Sequence, residues 1–482
     1  MDGARSILID NTWRASVSGA TMPVHSPVSE EAISEISSGT TEDADLVLAS
    51  AARGLATWRD VPAWERAKIM RRAADLMRER VEAIARTMSA ETGKPLAESR
   101  GETNAAADQF EWYAEEAKRV YGQTIPGRGS DQRMLVIYQP VGVALSLSAW
   151  NFPALLPARK IAAALGAGCS VVARPASEAP GPCFAIAQAL IDAGAPPGVV
   201  TIVTGPSALL VAYLIASPVI RKVSLTGSVA VGKRVLMQCA AGVKRVSMEL
   251  GGHAPVIVHR DADPVAAARA LAMAKFRNSG QVCISPSRFY VHASLKEPFE
   301  RTFAEVARAI VVGDGLKDGV TMGPMIRRKG LEGALALVER AVKRGARLVA
   351  GGRRPAHLNK GHFLEPTVLT DVSDDALIMN EEPFAPIAPI APFTDEDDAI
   401  RRANALPFGL AAYVFTNDAE RGTRTAEKLE SGMVGINEVL LATAEAPFGG
   451  IKESGFGREG GALGIKDYLE PKYIRQKLIA TG

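Results

Sequence analysis

Residues 221–240 read RKVSLTGSVAVGKRVLMQCA: a short β-branched run closes on Thr-Gly-Ser and opens directly into helical spacing. Two units of the same kind precede it. SVVAR (170–174) leads into PCFAIAQALIDAG (182–194), and VVTIVTG (199–205) leads into ALLVAYLIASP (208–218). Short β-branched strands separated by helices indicate parallel strands joined by helical crossovers. The expected fold class is therefore α/β, with a doubly wound sheet. The alternation resumes after Asp261 through RFYVH (288–292), FERTFAEVARAIV (299–311) and AAYVFT (411–416), which predicts a second α/β lobe.

Upstream, residues 41 to about 94 carry apolar side chains at three- and four-residue spacing, as in DADLVLASAARGLATW (43–58), and are expected to be helical. A break follows at Gly127–Arg128–Gly129–Ser130. The stretch RMLVIYQPVGVALSLSAW (133–150) then reads as extended and hairpin-like, and Gly351–Gly361 as a surface loop. No internal repeat or low-complexity tract interrupts this order.

At 482 residues the chain exceeds what one hydrophobic core organises. Its net charge of +3, with both signs interspersed, gives no nucleic-acid footprint. The N-terminal MDGARSILIDNTWRAS lacks the basic start and apolar run of a secretory leader. No run reaches the ~18 apolar residues of a membrane span. Cys169, Cys183, Cys239 and Cys283 are scattered, without CxxC or metal-ligand spacing. A reduced, cytoplasmic protein without a metal centre is the expectation.

Two phosphate-loop patterns are decoys. GFGREG (455–460) matches GxGxxG, but the 22 residues after it are too few to complete a βαβ unit. GSVAVGKR (227–234) approaches a P-loop, but Arg234 stands where magnesium binding needs a hydroxyl, which argues against an NTPase. Its strand–Gly–Ser–helix context still offers backbone amides to a pyrophosphate, although Ser228 as a simple N-cap explains it equally.

Three residues have a chemical and a plain reading. Asn151, before Phe-Pro, is either a turn asparagine or an amide aimed at an oxyanion. Glu249, closing an apolar strand before Gly251–Gly252, is either a capping carboxylate or a poorly solvated general base. Cys283, in KFRNSGQVCISPSRF (275–289), is by itself a packed thiol.

The company they keep changes this. AWNFP, SLTGSVAVG, MELGG, FRNSGQVC, NEEPFAP and PFGGIKESGFGREGG occur in that order along the chain. Together they resemble the aldehyde dehydrogenase superfamily, closest to its succinate-semialdehyde and 2-oxoglutarate-semialdehyde members. The Glu249–Cys283 spacing fits as well. The resemblance implies that Cys283 attacks an aldehyde as thiolate. The Asn151 amide and the Cys283 backbone N–H would hold the oxyanion, and hydride would pass to NAD or NADP. Glu249 would activate the water that releases the acid, with Lys160 and Glu459 in a proton relay. It assigns Trp150, Gly227, Ser228, Glu382 and Phe384 to the cofactor, with Ala385 where the family has Gly. Arg174 replaces a family lysine, and Ser177 replaces the Glu common in NAD-preferring members, so NADP tolerance is expected. Glu178, next door, works against that.

Arg159 and Arg277 match arginines that bind a distal carboxylate in the succinate-semialdehyde enzymes; alone they would read as solvated surface residues. A serine of that site is Ala442 here, followed by Thr443, which is the candidate substitute. Ser285 stands where some relatives carry a second, redox-switching cysteine. The implied organisation is two doubly wound lobes plus a small oligomerisation hairpin element. Residues 1–126 and 145–252 form the NAD(P)-binding domain, 253–450 the catalytic domain, and 127–144 with 451–482 the oligomerisation element. The implied partners are a small aldehyde and further copies of the chain, as homodimer or homotetramer. A CoA-acylating enzyme would lack a use for Glu249. A non-catalytic relative would lack Cys283 or Asn151.

Overall fold

The computed structural model describes residues 5–478; residues 1–4 and 479–482, the outermost parts of the ranges above, lie outside the described residues. Two large sheets dominate. The first has eight strands, in the order Thr12–Arg14, Ile7–Ile9, Val200–Ile202, Val171–Arg174, Val143–Leu147, Ile220–Thr226, Arg245–Glu249, Gly455–Phe456. The five central strands run parallel, and the flanking pairings are antiparallel. The three strand–helix units read from sequence all lie here, with helices Gly181–Asp192, Ser207–Ala216 and Val229–Ala240.

The second sheet has seven strands, ordered Arg347–Ala350, Thr367–Thr370, Ile387–Phe393, Pro286–His292, Ala254–Val258, Ala411–Phe415, Met433–Ile436. All its pairings are parallel except that of Arg347–Ala350. The chain crosses from one sheet to the other between Glu249 and Ala254. Strand ends of both sheets therefore meet around residues 249–254.

Helix Leu155–Ala167 is buried along its whole length, which explains its near-continuous apolar sequence. Its end is set by Gly168, whose φ of 91° is the left-handed C-cap conformation. At the other end Glu102 Oε1 accepts from the amides of Ala154 and Leu155, at 2.8 and 3.2 Å. A carboxylate there satisfies orphan donors and meets the positive end of the helix dipole.

The stretch 133–150 is extended but is not a hairpin. Gln132–Pro140 pairs with Leu469–Lys477 over nine residues and with Gln123–Ile125, forming a separate three-stranded sheet. Val143–Leu147 turns away into the centre of the first sheet. Burial separates them: Val143–Leu147 is wholly buried, whereas Gln132–Pro140 is half-buried or exposed throughout. Gly142, at φ 131°, makes the turn. Of residues 451–478, Leu469–Lys477 lies in the small sheet. Ile451–Lys452 pairs with Phe408–Gly409, and Gly455–Phe456 pairs with Arg245–Glu249 in the first sheet. The loop 351–361 contains no helix or strand. None of the described helices is long and apolar enough to cross a membrane.

Candidate active site

Cys283 sits on a tight loop between helix Pro264–Phe276 and strand Pro286–His292. Asn278, Ser279 and Gly280 take φ values of 47°, 57° and 70° in succession. Two non-glycine residues in this region are costly and persist only where surroundings enforce them. Here they do. The Asn278 amide donates to the backbone carbonyls of Asn151 (3.0 Å) and Gln281 (3.2 Å), and its N–H donates to the Glu98 carboxylate (3.0 Å). Ser279 Oγ donates to the Gly323 carbonyl, and Gln281 Oε1 accepts from Ile326 N–H. Gly280 packs so closely that a Cβ would stand 2.2 Å from the Ala385 carbonyl. Tyr413 Oη donates to the Ile284 carbonyl at 2.6 Å, fixing the far side.

Asn151 is buried beside this loop. One hydrogen of Nδ2 is used on the Gln281 carbonyl at 3.2 Å, which leaves the other for an oxyanion. Its own carbonyl accepts from Lys94 Nζ at 2.8 Å. Lys94 in turn forms a fully buried 2.5 Å pair with Glu102, the carboxylate that caps helix Leu155–Ala167. Lys94, Glu98, Glu102, Asn278 and Gln281 thus hold the site together, and sequence reasoning missed them. In ETGKPLAESRGE (91–102) the acids and the lysine are indistinguishable from a solvated helix face.

Cys283 is partly accessible, whereas Cys169, Cys183 and Cys239 are buried. Its surroundings do not favour the thiolate expected from sequence. Burial, then the nearby Glu249 carboxyl, push the thiol well above its ordinary range, against the pull of Arg159. Glu249 is itself pushed up to about 8, first by burial and then by Glu459, with Lys160 and Arg159 opposing. Neither of its oxygens makes a well-formed hydrogen bond, although the Cys283 thiol is close enough to help hold its charge. Both shifts favour the uncharged forms, a thiol beside a carboxyl. Glu249 is the carboxyl next to that thiol and the candidate base.

Lys160 and Glu459 are brought together: Lys160 Nζ lies 2.5 Å from Glu459 Oε1 and 2.5 Å from Thr226 Oγ1, all buried. Arg159, the preceding residue, also acts on Glu249. It is 2% exposed, with its guanidinium 4.1 Å from the centre of the Phe448 ring. Its Nε and one terminal nitrogen have no hydrogen-bond partner among the described residues. Arg277 is exposed, resting 5.2 Å over the Phe152 ring. Thr443 lines a surface groove of about 520 Å³ with Leu155, Ala442 and Gln109.

Of the residues assigned to the cofactor, Trp150, Arg174, Ser177, Gly227 and Ser228 lie at or just after the C-terminal ends of strands in the first sheet, whereas Glu382 and Phe384 precede strand Ile387–Phe393 of the second. Arg174 closes strand Val171–Arg174, is lowered to about 10 by burial, and donates to Ser177 Oγ at 3.3 Å and the Gly205 carbonyl at 3.1 Å. Glu178 forms an ion pair with Arg327. Ser228 caps helix Val229–Ala240 by accepting from Val231 N–H, while Gly227 N–H donates to the Glu249 carbonyl at 3.1 Å. Across the gap, Glu382 accepts from Gly252 N–H at 3.4 Å and is pushed up to about 8 by burial and Glu249. Phe384, at φ 41°, meets Trp150 edge-on at 5.7 Å. Arg174 and the start of helix Val229–Ala240 could serve a dinucleotide's ribose and phosphates, and Glu382, which acts on Cys283, its nicotinamide end. Among the described residues no cluster of His, Cys, Asp and Glu has the makings of a metal site.

Cys283 on a strained loop, the buried Asn151 amide and Glu249 carboxyl near it, and a helix start at the strand ends of a parallel sheet are the parts that a cysteine-dependent dehydrogenase would need. Residues 13–474 match the model of the aldehyde dehydrogenase family. The chain belongs to that family and is an NAD(P)-dependent aldehyde dehydrogenase. It is 43% identical over 467 residues to the succinate-semialdehyde dehydrogenase [NADP(+)] GabD of Escherichia coli K12, covering 97% of this chain and 96% of that one. It is 44% identical to a 3-sulfolactaldehyde dehydrogenase of Pseudomonas putida, covering 97% and 96%. The crystal structure of an E. coli NADP-dependent enzyme superposes with a TM-score of 0.96 at 42% identity, over 98% of both chains.

Proposed function

We propose that the protein oxidises an aldehyde bearing a distal carboxylate, succinate semialdehyde to succinate, with 2-oxoglutarate or glutarate semialdehyde as the alternative main substrate. The carrying observation is Arg159. A buried guanidinium with two nitrogens unpartnered, close enough to act on both Cys283 and Glu249, is costly unless an anion completes it. Arg277 and Thr443 are proposed as its helpers in holding the distal carboxylate. The sulfonate tail in one relative's substrate name has the same requirement.

Cys283 Sγ adds to the aldehyde carbon while its proton passes to the ionised Glu249. The developing oxyanion is met by the free Asn151 Nδ2–H and the Cys283 backbone N–H. When bound, the nicotinamide supplies the two-electron acceptor for the aldehyde hydrogen. A thioester remains on Cys283. Once Glu249 has passed that first proton on toward Lys160 and Glu459, it takes a second from water as the water oxygen adds to the thioester, the C–S bond breaks, and the acid leaves. Lys160 and Glu459 accept the proton onward. Glu249 favours water over CoA as the acyl acceptor.

Both dinucleotides are accepted in this reading, with NADP tolerated through Arg174 and Ser177. The nearest competing carboxylate, Glu178, is neutralised by Arg327. In this reading residues 1–126 and 145–252 bind the dinucleotide, 253–450 carry the catalytic residues, and 127–144 with 451–482 serve oligomerisation, although Gly455–Phe456 pairs in the first sheet and Gln123–Ile125 in the three-stranded one. That sheet exposes Leu135, Ile137, Tyr473 and Ile474, which favours cover by a second copy, as homodimer or homotetramer. Four unpaired cysteines fit the cytoplasm.

The test is a steady-state panel of succinate, glutarate and 2-oxoglutarate semialdehydes and an uncharged aldehyde of equal length, each with NAD⁺ and NADP⁺. The carboxylated substrates should lead in kcat/KM, and Cys283→Ser should abolish oxidation while cofactor still binds. Equal turnover of the uncharged aldehyde would overturn the substrate assignment.

A further inference from the structure

Strand Ile220–Thr226 alternates Lys222, Ser224 and Thr226 with Val223 and Leu225. Such alternation normally marks a strand with one face in water. Here both faces are buried. Val223 and Leu225 join the apolar core with Leu145, Leu147 and Met248. The other face is a row of polar side chains inside the protein. The parallel register places Thr226 opposite Glu249, and Ser224 opposite Ser247 and Ser146, so their side chains share that face.

The row falls into two hydrogen-bonded stretches, one joining Lys160, Thr226, Glu459 and Ser224 and one joining Lys222, Ser247 and Asp467, so a water would have to bridge Glu249 to the first and the first to the second. Lys160 Nζ bonds Thr226 and Glu459. Ser224 Oγ donates to Glu459 Oε1 at 3.4 Å, and the Tyr468 hydroxyl reaches Ser224. Lys222 Nζ stands 5.3 Å over the Tyr468 ring and donates to Ser247 Oγ. Ser247 Oγ donates to Asp467 Oδ2 at 2.8 Å, and Asp467 is half-buried. Gly457 closes over this end; a Cβ there would stand 2.6 Å from Asp467 Oδ2.

Two features separate this from a structural polar patch. Replacing a buried ionic cluster with packed apolar residues commonly costs no stability, so its presence needs another reason. Moreover, Ser146 Oγ, Ser148 Oγ, Glu459 Oε2 and both Glu249 oxygens are buried without a hydrogen-bond partner among the described residues. Buried polar atoms of that kind are where water binds.

We propose that this row is the route by which protons released at Glu249 reach solvent, with Lys222 and Ser247 as obligatory steps beyond Glu459 and Asp467 as the exit. The proposal rests on the reading of Glu249 given above. Oxidation obeys RCHO + NAD(P)⁺ + H₂O → RCOO⁻ + NAD(P)H + 2H⁺. One proton leaves the thiol and aldehyde on acylation, and one leaves the water and acid on hydrolysis. Each hop moves a proton between groups that both donate and accept. Lys222 is suited to this, being lowered to about 8 by burial against Asp467 and Glu459, with Arg245 acting in the same direction as burial. Ser247 and Asp467 are positioning and transfer groups that touch neither aldehyde nor dinucleotide.

The experiment compares Ser247→Ala and Asp467→Asn with wild type and Glu249→Gln. It measures the pre-steady-state NAD(P)H burst, kcat and the solvent deuterium isotope effect on kcat. Both variants should keep the burst amplitude. Their kcat should fall about tenfold, less than the ~10²–10⁴ of a primary acid–base group, with a larger isotope effect. Asp467→Asn is isosteric and half-buried, so it covers the case in which Ser247→Ala unsettles the fold. Wild-type kcat and isotope effect in both variants, or a fall in kcat with an unchanged isotope effect, would overturn the route. If Glu249→Gln slows while both variants do not, the reading of Glu249 stands and the route alone fails. If Glu249→Gln keeps full kcat, both fall.

Discussion

Lys94 and Glu102 form a fully buried ion pair at 2.5 Å, and the two ends of that pair hold different parts of the active site. Lys94 grips the carbonyl of Asn151, while Glu102 caps the helix that carries Arg159 and Lys160. Breaking one half of a buried pair strands the other charge, which costs about 3–5 kcal/mol. Lys94→Met is therefore expected to lower the thermal midpoint and to reduce kcat by misplacing the Asn151 amide. Differential scanning fluorimetry and single-turnover rates check both. An unchanged midpoint would contradict the pairing.

Glu249 gives the pH dependence its sign. Its carboxyl is held at about 8, so the basic form is scarce near neutrality and grows as pH rises. Steady-state oxidation should climb with pH and level off above about 8, and Glu249→Gln should flatten that rise and also slow the burst, because the Cys283 proton then has no adjacent acceptor. Stability runs the other way. The folded state keeps a proton that the unfolded chain sheds near 4.5, so this group's stabilisation is full below that value and lost as pH rises toward about 8. Denaturant titrations of wild type and Glu249→Gln across pH 5–9 compare the two slopes.

Arg159→Met keeps the stem over Phe448 and removes the charge. A charge-assisted hydrogen bond is worth about 1.5–3 kcal/mol, so kcat/KM for carboxylated aldehydes should fall roughly 10- to 150-fold. Uncharged aldehydes should be turned over as well as before or better. Parallel loss on both substrates would assign Arg159 to the site's architecture instead.

Ser177→Glu places a carboxylate beside Arg174, where the guanidinium now meets a hydroxyl. The variant should lose at least about tenfold in kcat/KM with NADP⁺ while keeping NAD⁺, because like charges repel across a short distance. The ratio of the two cofactors, measured with one aldehyde, decides it.

Much of this protein was legible locally. The strand–helix alternation from 170 to 240 reflects burial repeating along short segments, and each unit was found as a parallel strand and its helix. The cysteine, carboxylate and amide were singled out by the ordered set of motifs around them, since each taken alone also has a plain structural reading. The hairpin expected at 133–150 did not form, because strand partners are chosen by burial. Nothing near in sequence tells Gln132–Pro140 to pair with Leu469–Lys477.

By itself, then, the sequence determined the order of elements, the family and the candidates for the reacting side chains, since periodicity and motif chemistry act over a few residues. Only the tertiary structure decided their protonation, because Cys283 and Glu249 titrate according to Glu459, Arg159 and Lys160, brought from distant parts of the chain. It alone also joined Lys94 to Glu102 and aligned Lys222, Ser247 and Asp467, since a charge's environment is made by what packs over it.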